Sequence, residues 1–202
     1  MKIVVIGATG TIGSAVAKLL GKKHDIIAVS RSSGAHRANI ADRASLEQLF
    51  AAIGKVDAIV SAAGNAVFKP LAALTDADFE KSLHDKLMGQ VNIVRLGAQY
   101  VLPGGSITIT SGLLAQEPRP GSAAVSLVGA GLEAFARAAA LELQSAQVRV
   151  NVVSPPWVTE TLIALKMDPS RGLRADDVAK AYAASVEGGG TGQIIDARKT
   201  SS

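Results

Sequence analysis

Polar and apolar positions alternate between two regimes along the chain. Short, mostly apolar runs recur at Ile3–Ile6, Asp25–Ser30, Asp57–Ser61, Ser106–Thr110, Val148–Val153 and Gly192–Asp196. Between them, apolar residues return every three or four positions, as in helices with one buried face. Thr11–Leu20 sets Ile12, Val16, Leu19 and Leu20 on one side and stops at Gly21. Arg31–Ile40 is too short and polar for a helix, so the chain is expected to pass into a short strand near Ala38–Ile40. Ser45–Ile53 reads as a helix capped by Ser45. Thr75-Asp76-Ala77-Asp78 has the spacing of a capping box. The helix it opens is expected to reach Val101, with Leu87, Val91, Val94, Ala98 and Val101 as its stripe and Pro103-Gly104-Gly105 as its stop. Ser122–Leu143 predicts a long helix of small residues, and Ala175–Val186 another. The tail Arg198–Ser202 is expected to fray.

Strands this apolar, separated by helices, need cover on both faces of a parallel sheet. No linker or repeat interrupts the pattern. The expected architecture is α/β: a three-layer, doubly wound parallel sheet in a single compact domain spanning 1–202. A chain of 202 residues buries about 70% of its unfolded surface in one domain. With hydrophobic residues at 48% and charged ones at 19%, disorder is not expected. Aromatics are only 3%, so the core must be aliphatic and its elements closely packed.

Composition then narrows the chemistry. Without cysteine there is no disulfide, thiolate metal site or cysteine nucleophile. His24, His36 and His84 lack metal-ligand spacing, so no metal is expected. The net charge of +4 is scattered, with no basic run. Nucleic acid is therefore not an expected partner, whereas an anionic dinucleotide suits the balance. No basic leader is expected ahead of the first strand, and no stretch reaches the roughly 18 apolar residues that a membrane helix needs. A cytoplasmic protein with no membrane partner is expected.

After the first strand stands G-x-x-G-x-x-G, with Gly7, Gly10 and Gly13. A strand, a tight glycine turn and a helix start together let backbone approach a pyrophosphate and aim helix amides at it. Thr9, Thr11 and Ile12 complete that turn. An NAD site usually carries an acid at the end of the second strand. Here the strand ends Ser30-Arg31-Ser32-Ser33. A guanidinium fork flanked by hydroxyls suits a 2′-phosphate, so NADP(H) is expected over NAD(H). The plainer alternative is that Arg31 is a solvated loop residue. His36 and Arg37, in the next loop, stand near enough in sequence to assist.

These segments resemble the short-chain dehydrogenase/reductase family over nearly the whole chain, which implies a Rossmann-type fold. Gly7–Gly13 resembles the family's glycine-rich loop. Asn39-Ile40-Ala41-Asp42 resembles its adenine segment, and Ser61-Ala62-Ala63-Gly64 is similar to the strand end that lies against the ribose. Gly105–Ser111 resembles the strand that presents the active-site serine, which implies Ser111. Ala140–Leu143 and Val148–Pro155 match a helix end and the strand after it. Pro155-Pro156-Trp157-Val158-Thr159 resembles the nicotinamide-facing segment. There Pro155 lines the site and the backbone of Val158 is implied to hold the carboxamide. Related proteins pair through the Ser122–Leu143 helix and the one before it, which implies a homodimer or homotetramer.

The departures are as informative. The family's Tyr-x-x-x-Lys is absent. The only tyrosines are Tyr100 and Tyr182, with Gly104 and Val186 four residues on. The alignment puts Val125 and Gly129 at the usual tyrosine and lysine positions, and Lys86 at the usual active-site asparagine. Lys86 is then the best replacement acid or electrophile, with Ser111 contacting substrate. Glu133 is expected to be a surface charge, and Trp157 either covers the pocket mouth or fills the core. The loop from about 157 to 173, with Leu162, Ile163, Leu165 and Met167, is expected to be an apolar substrate lid.

The leading expectation is an NADP(H)-dependent oxidoreductase acting by hydride transfer on a small-molecule carbonyl/alcohol pair, with an altered proton-delivery site. The alternatives are a catalytically impaired NADP(H)-binding sensor or partner module, and a scaffold that has lost its cofactor.

Overall fold

Strands apolar on both sides are stable only between two covering layers, and the chain is built that way. The computed structural model describes residues 1–200. Its elements are β1 (Lys2–Ile6), α1 (Thr11–Leu20), β2 (Asp25–Ser30), β3 (His36–Arg37), α2 (Arg43–Ile53), β4 (Val56–Ser61), α3 (Asp76–Ser82), α4 (Gly89–Gly97), β5 (Val101–Thr110), α5 (Ala123–Glu142), β6 (Arg149–Ser154), α6 (Thr159–Ala164), α7 (Ala175–Glu187) and β7 (Ile194–Asp196). The strands form one seven-stranded sheet in the order β3-β2-β1-β4-β5-β6-β7. Every pairing is parallel. The chain winds outward one way from β1 and then the other way from β4. Between the carboxyl ends of these strands lies the crevice where such sheets bind ligands.

Two buried clusters clothe the sheet. On one face α2, α4 and α5 bring Phe50, Ile93 and Leu132 against Ile59, Ile107 and Val150. On the other, α1 and α7 bring Val16, Leu20, Val178 and Tyr182 against Ile3, Val5 and Val60. Tyr182 is fully buried, and its hydroxyl meets Thr110 Oγ1 at 2.5 Å. Burial pushes that hydroxyl well above the usual tyrosine range, so it stays neutral. Among the described residues α5 alone is long and apolar enough to cross a bilayer, but Val128, Leu132 and Ala136 on it are core residues.

Several boundaries differ from expectation for local reasons. The short strand forms at His36–Arg37, not Ala38–Ile40; Ala38 and Ile40 instead turn into the core. α2 starts two residues early because Asp42, not Ser45, caps it. Its carboxylate accepts from Ala44 N–H at 2.9 Å and Ser45 N–H at 3.3 Å. Ser45 Oγ accepts from Asn39 N–H instead. The capping box at Thr75 and Asp78 forms as expected.

The helix it opens is not uniform. Leu83–Met88 widens into a π turn between α3 and α4. The extra residue rotates α4 about its axis, so Gln90, Ile93, Val94 and Gly97 are buried while Leu87 and Val91 of the expected stripe are only half-buried. The helical run ends before Val101, which begins β5, and Pro103-Gly104-Gly105 lies inside that strand. The expected 157–173 loop contains α6. The tail is held as far as Thr200 by a 3₁₀ turn, with Arg198 bound to Asp196 and Glu117. Ser201 and Ser202 lie outside the described residues.

Tyr182→Phe removes one buried hydroxyl while Thr110 Oγ1 keeps its bond to the Ser61 carbonyl. The expected cost is about 1 kcal/mol. That is a fall in Tm of about 2–4 °C in a thermal unfolding scan.

Candidate functional site

The site begins where β1 turns into α1. Gly7 sits at φ +86°, a conformation few other residues adopt, and a Cβ there would lie 2.9 Å from the Ala62 carbonyl oxygen. A Cβ on Gly13 would fall 2.0 Å from the Gly7 carbonyl oxygen. The turn therefore packs backbone on backbone. No side chain caps α1 at Gly10, so its first-turn amides are not spent on a side-chain oxygen.

That turn floors a cleft of about 250 Å³ at the carboxyl ends of β1, β2 and β4. Of the residues expected to bind a dinucleotide, Gly7, Thr9, Gly10, Ser30, Arg31, Asn39, Ile40, Ala62, Ala63 and Gly64 all line it. Thr11, Ile12 and Gly13 form the start of α1 and do not line the cleft. Ser32 is exposed beside it. Pro155 and Val158 lie beyond the end of β6, outside this part of the cleft. Asn65 and Asp85 line it too and carried no signal in the sequence. They are joined, Asn65 N–H donating to Asp85 Oδ2 at 3.2 Å.

Arg31 is exposed at the rim. The Ser30 hydroxyl bonds within its own turn, where it donates to the Ser33 carbonyl and accepts from Ser33 N–H at 3.0 Å. It thereby shapes the turn that carries Arg31. Val158 pairs with Leu173 through bonds made by the Trp157 carbonyl and Thr159 N–H, and its own carbonyl accepts from Leu162 N–H. None of these bonds uses the Val158 N–H. Trp157 is half-buried and meets the exposed Phe68 edge-on, 5.8 Å between centroids, outside both core clusters. It packs on Phe68 at the surface rather than filling the core.

Lys86 lies in the π turn, half-buried, with its Cα 3.0 Å from where a Gly64 Cβ would be. Desolvation lowers its ammonium to about 8, against the opposing pull of Asp85. Ser111 follows the end of β5 and is 5% exposed. Its hydroxyl donates to Glu133 Oε1 at 3.0 Å. Glu133 is thus no surface charge: it is 6% exposed and also accepts from Gln116 Nε2 at 3.1 Å. Helical spacing alone hid this, because the apolar stripe of a helix made of small residues is ambiguous.

The family model for enoyl-(acyl carrier protein) reductase matches residues 7–187. The chain belongs to the short-chain dehydrogenase/reductase family. Members are oxidoreductases that use nicotinamide cofactors on small molecules, and they are typically oligomeric. A 3-oxoacyl-[acyl-carrier-protein] reductase of Rattus norvegicus is 29% identical over 174 residues, 76% of this chain and 74% of that one. The crystal structure of the protein lin1944 from Listeria innocua is 37% identical, with a TM-score of 0.92 over 97% of this chain and 98% of that one. A small-chain dehydrogenase crystallised with NADPH is 28% identical, with a TM-score of 0.85 over 97% and 95%.

Val125 and Gly129, the expected counterparts of the family's tyrosine and lysine, lie on α5 of this short-chain dehydrogenase. Val125 is half-buried and Gly129 buried. A Cβ on Gly129 would lie 2.9 Å from Ala115 Cβ. The 112–117 segment is pinned over it: Leu113 N–H bonds the Pro155 carbonyl at 2.8 Å and Ser126 Oγ the Leu114 carbonyl at 2.6 Å. A lysine cannot be put back without moving that segment. Val125→Tyr with Gly129→Lys is expected to cost about 1–3 kcal/mol by overpacking and not to raise turnover. Adding Ala115→Gly should recover part of the loss in denaturant unfolding.

Proposed function

We propose that the chain is an NADP(H)-dependent oxidoreductase acting on a carbonyl/alcohol pair by hydride transfer, with an altered proton-delivery site. The observation that carries this is the cleft itself: a glycine turn no larger residue fits, uncapped helix amides and an exposed arginine at the rim. These features fit a dinucleotide phosphate group at one end and a 2′-phosphate at the other. The relative crystallised with NADPH supports the same reading.

The residues divide the work. The α1 amides and Gly7–Gly13 receive the pyrophosphate. Arg31 forks onto the 2′-phosphate, on a turn held by Ser30. Asn39 and Ile40 bound the adenine, Ala62–Gly64 the ribose, and the Val158 N–H reaches the carboxamide beside Pro155. The bound nicotinamide supplies or accepts the hydride. Ser111 receives the substrate oxygen. Lys86, protonated near neutral pH, stabilises negative charge developing there. Exposed Ile163, Leu165 and Met167, with Trp157 and Phe68, favour an apolar substrate at the mouth. Pairing of copies as a homodimer or homotetramer through α4 and α5 accords with the family's habit.

The closed space at Gly129 favours a second reading, a cofactor-binding sensor without turnover. A panel of aldehydes, ketones and quinones separates the two. The oxidoreductase reading expects NADPH oxidation on the panel, lowered about 10²–10³-fold by Ser111→Ala or Lys86→Met, as for loss of one preorganised donor. Reduction should decline as pH rises through about 8, where the Lys86 ammonium loses its proton, and Lys86→Met should remove that decline. Full activity in both variants would contradict these roles, and NADPH binding without any turnover would favour the sensor.

A further inference from the structure

Val125, Gly129 and Glu133 stand at i, i+4 and i+8 of α5 and so share one face of the helix. The first two positions carry no proton chemistry, and the space that a side chain on Gly129 would need is filled by Ala115. The third is a carboxyl sunk into the same face. Its neighbours on the helix, Val128, Gly129, Leu132 and Ala136, are buried and have no polar side chain. A carboxyl in such surroundings is costly unless something uses or satisfies it. Glu133 takes two donors, Ser111 Oγ at 3.0 Å and Gln116 Nε2 at 3.1 Å, and both fall on Oε1. Among the described residues no protein donor reaches Oε2.

The direction of the serine bond matters. Ser111 spends its only proton on Glu133, so the lone pairs of Oγ remain to accept a proton from an alcohol. We propose that Glu133 is a positioning residue behind Ser111, and that the pair forms the proton relay in place of the family's tyrosine and lysine. The proposal rests on the oxidoreductase reading above. In alcohol oxidation the substrate O–H proton passes to Ser111 Oγ while the Ser111 proton passes to Glu133 Oε1. The O–H bond breaks, the C=O bond forms, and the hydride from the same carbon goes to the oxidised nicotinamide that the reading already requires. Carbonyl reduction runs the same transfers backward. Lys86 steadies the charge on the oxygen, and Gln116 holds the carboxyl in place.

The test uses the full chain with Glu133→Gln, Glu133→Asp and Ser111→Ala. Glutamine keeps an oxygen for both donors, so the fold and NADPH binding by calorimetry should be unchanged. Without activity, an infrared difference spectrum of wild type minus Glu133→Gln should isolate the Glu133 carboxyl band, and Ser111→Ala should shift it. With substrate, Glu133→Gln should lower kcat about 10²–10⁴-fold, the range for a lost acid–base group, with KM little changed. Glu133→Asp should recover part of kcat. Wild-type kcat in Glu133→Gln, or a band unmoved by Ser111→Ala, overturns the relay and leaves the oxidoreductase reading standing. No turnover by the wild-type protein on any carbonyl overturns both together, whatever the band does.

Discussion

The contact on which the rest of the site depends is backbone against backbone at the turn from β1 to α1. The Gly7 carbonyl lies where a Gly13 side chain would have to be, and the Ala62 carbonyl lies where a Gly7 side chain would be. Three segments, the ends of β1 and β4 and the start of α1, are thereby drawn closer than any residue with a Cβ permits. That closeness aims the helix dipole into the crevice and leaves a floor of peptide groups rather than side chains. The roles proposed for Arg31, Asn39 and Gly64, which line the same cleft, depend on this floor.

A second constraint acts at the other end of the crevice. On α5, Gly129 admits the close approach of the 112–117 segment, with Ala115 Cβ 2.9 Å from where a Gly129 Cβ would be. That segment is held from three sides, by Pro155, by Ser126 and, through Glu117, by Arg198 of the carboxyl-terminal turn. In the relay proposed above, Glu133 with Ser111, one turn further on, takes the part that Val125 and Gly129 cannot play. That proposal is tied to packing, since Gly129 and Glu133 are buried on the same face of α5.

Legibility differed between the two ends for physical reasons. The cofactor end is made of glycines and one arginine at fixed offsets from a strand, and local sequence determines such turns. Ten of the expected dinucleotide residues line one cleft. The proton-transfer end depends on which side of α5 faces inward and on how a neighbouring helix is wound. Glu133 read as a surface charge because a helix of alanine and glycine shows no clear stripe. The π turn at Leu83–Met88 shifted the buried face of the following helix by more than periodicity could reveal, so Gln90 was missed where its side chain bonds both the amide and the carbonyl of Thr110. Tertiary cover also moved the short strand to His36–Arg37, since Ala38 and Ile40 are worth more in the core.

Every role given to these residues depends on what occupies the cleft. Calorimetric titration with NADPH and with NADH, on the wild-type chain and on Arg31→Ala, addresses this most directly. NADPH should bind at micromolar concentration and NADH more weakly. The variant should lose about 10–100-fold for NADPH alone, as expected for a lost charged hydrogen bond of about 1.5–3 kcal/mol. Equal weakening of both nucleotides would contradict the place given to Arg31, and no binding of either would contradict a dinucleotide site altogether.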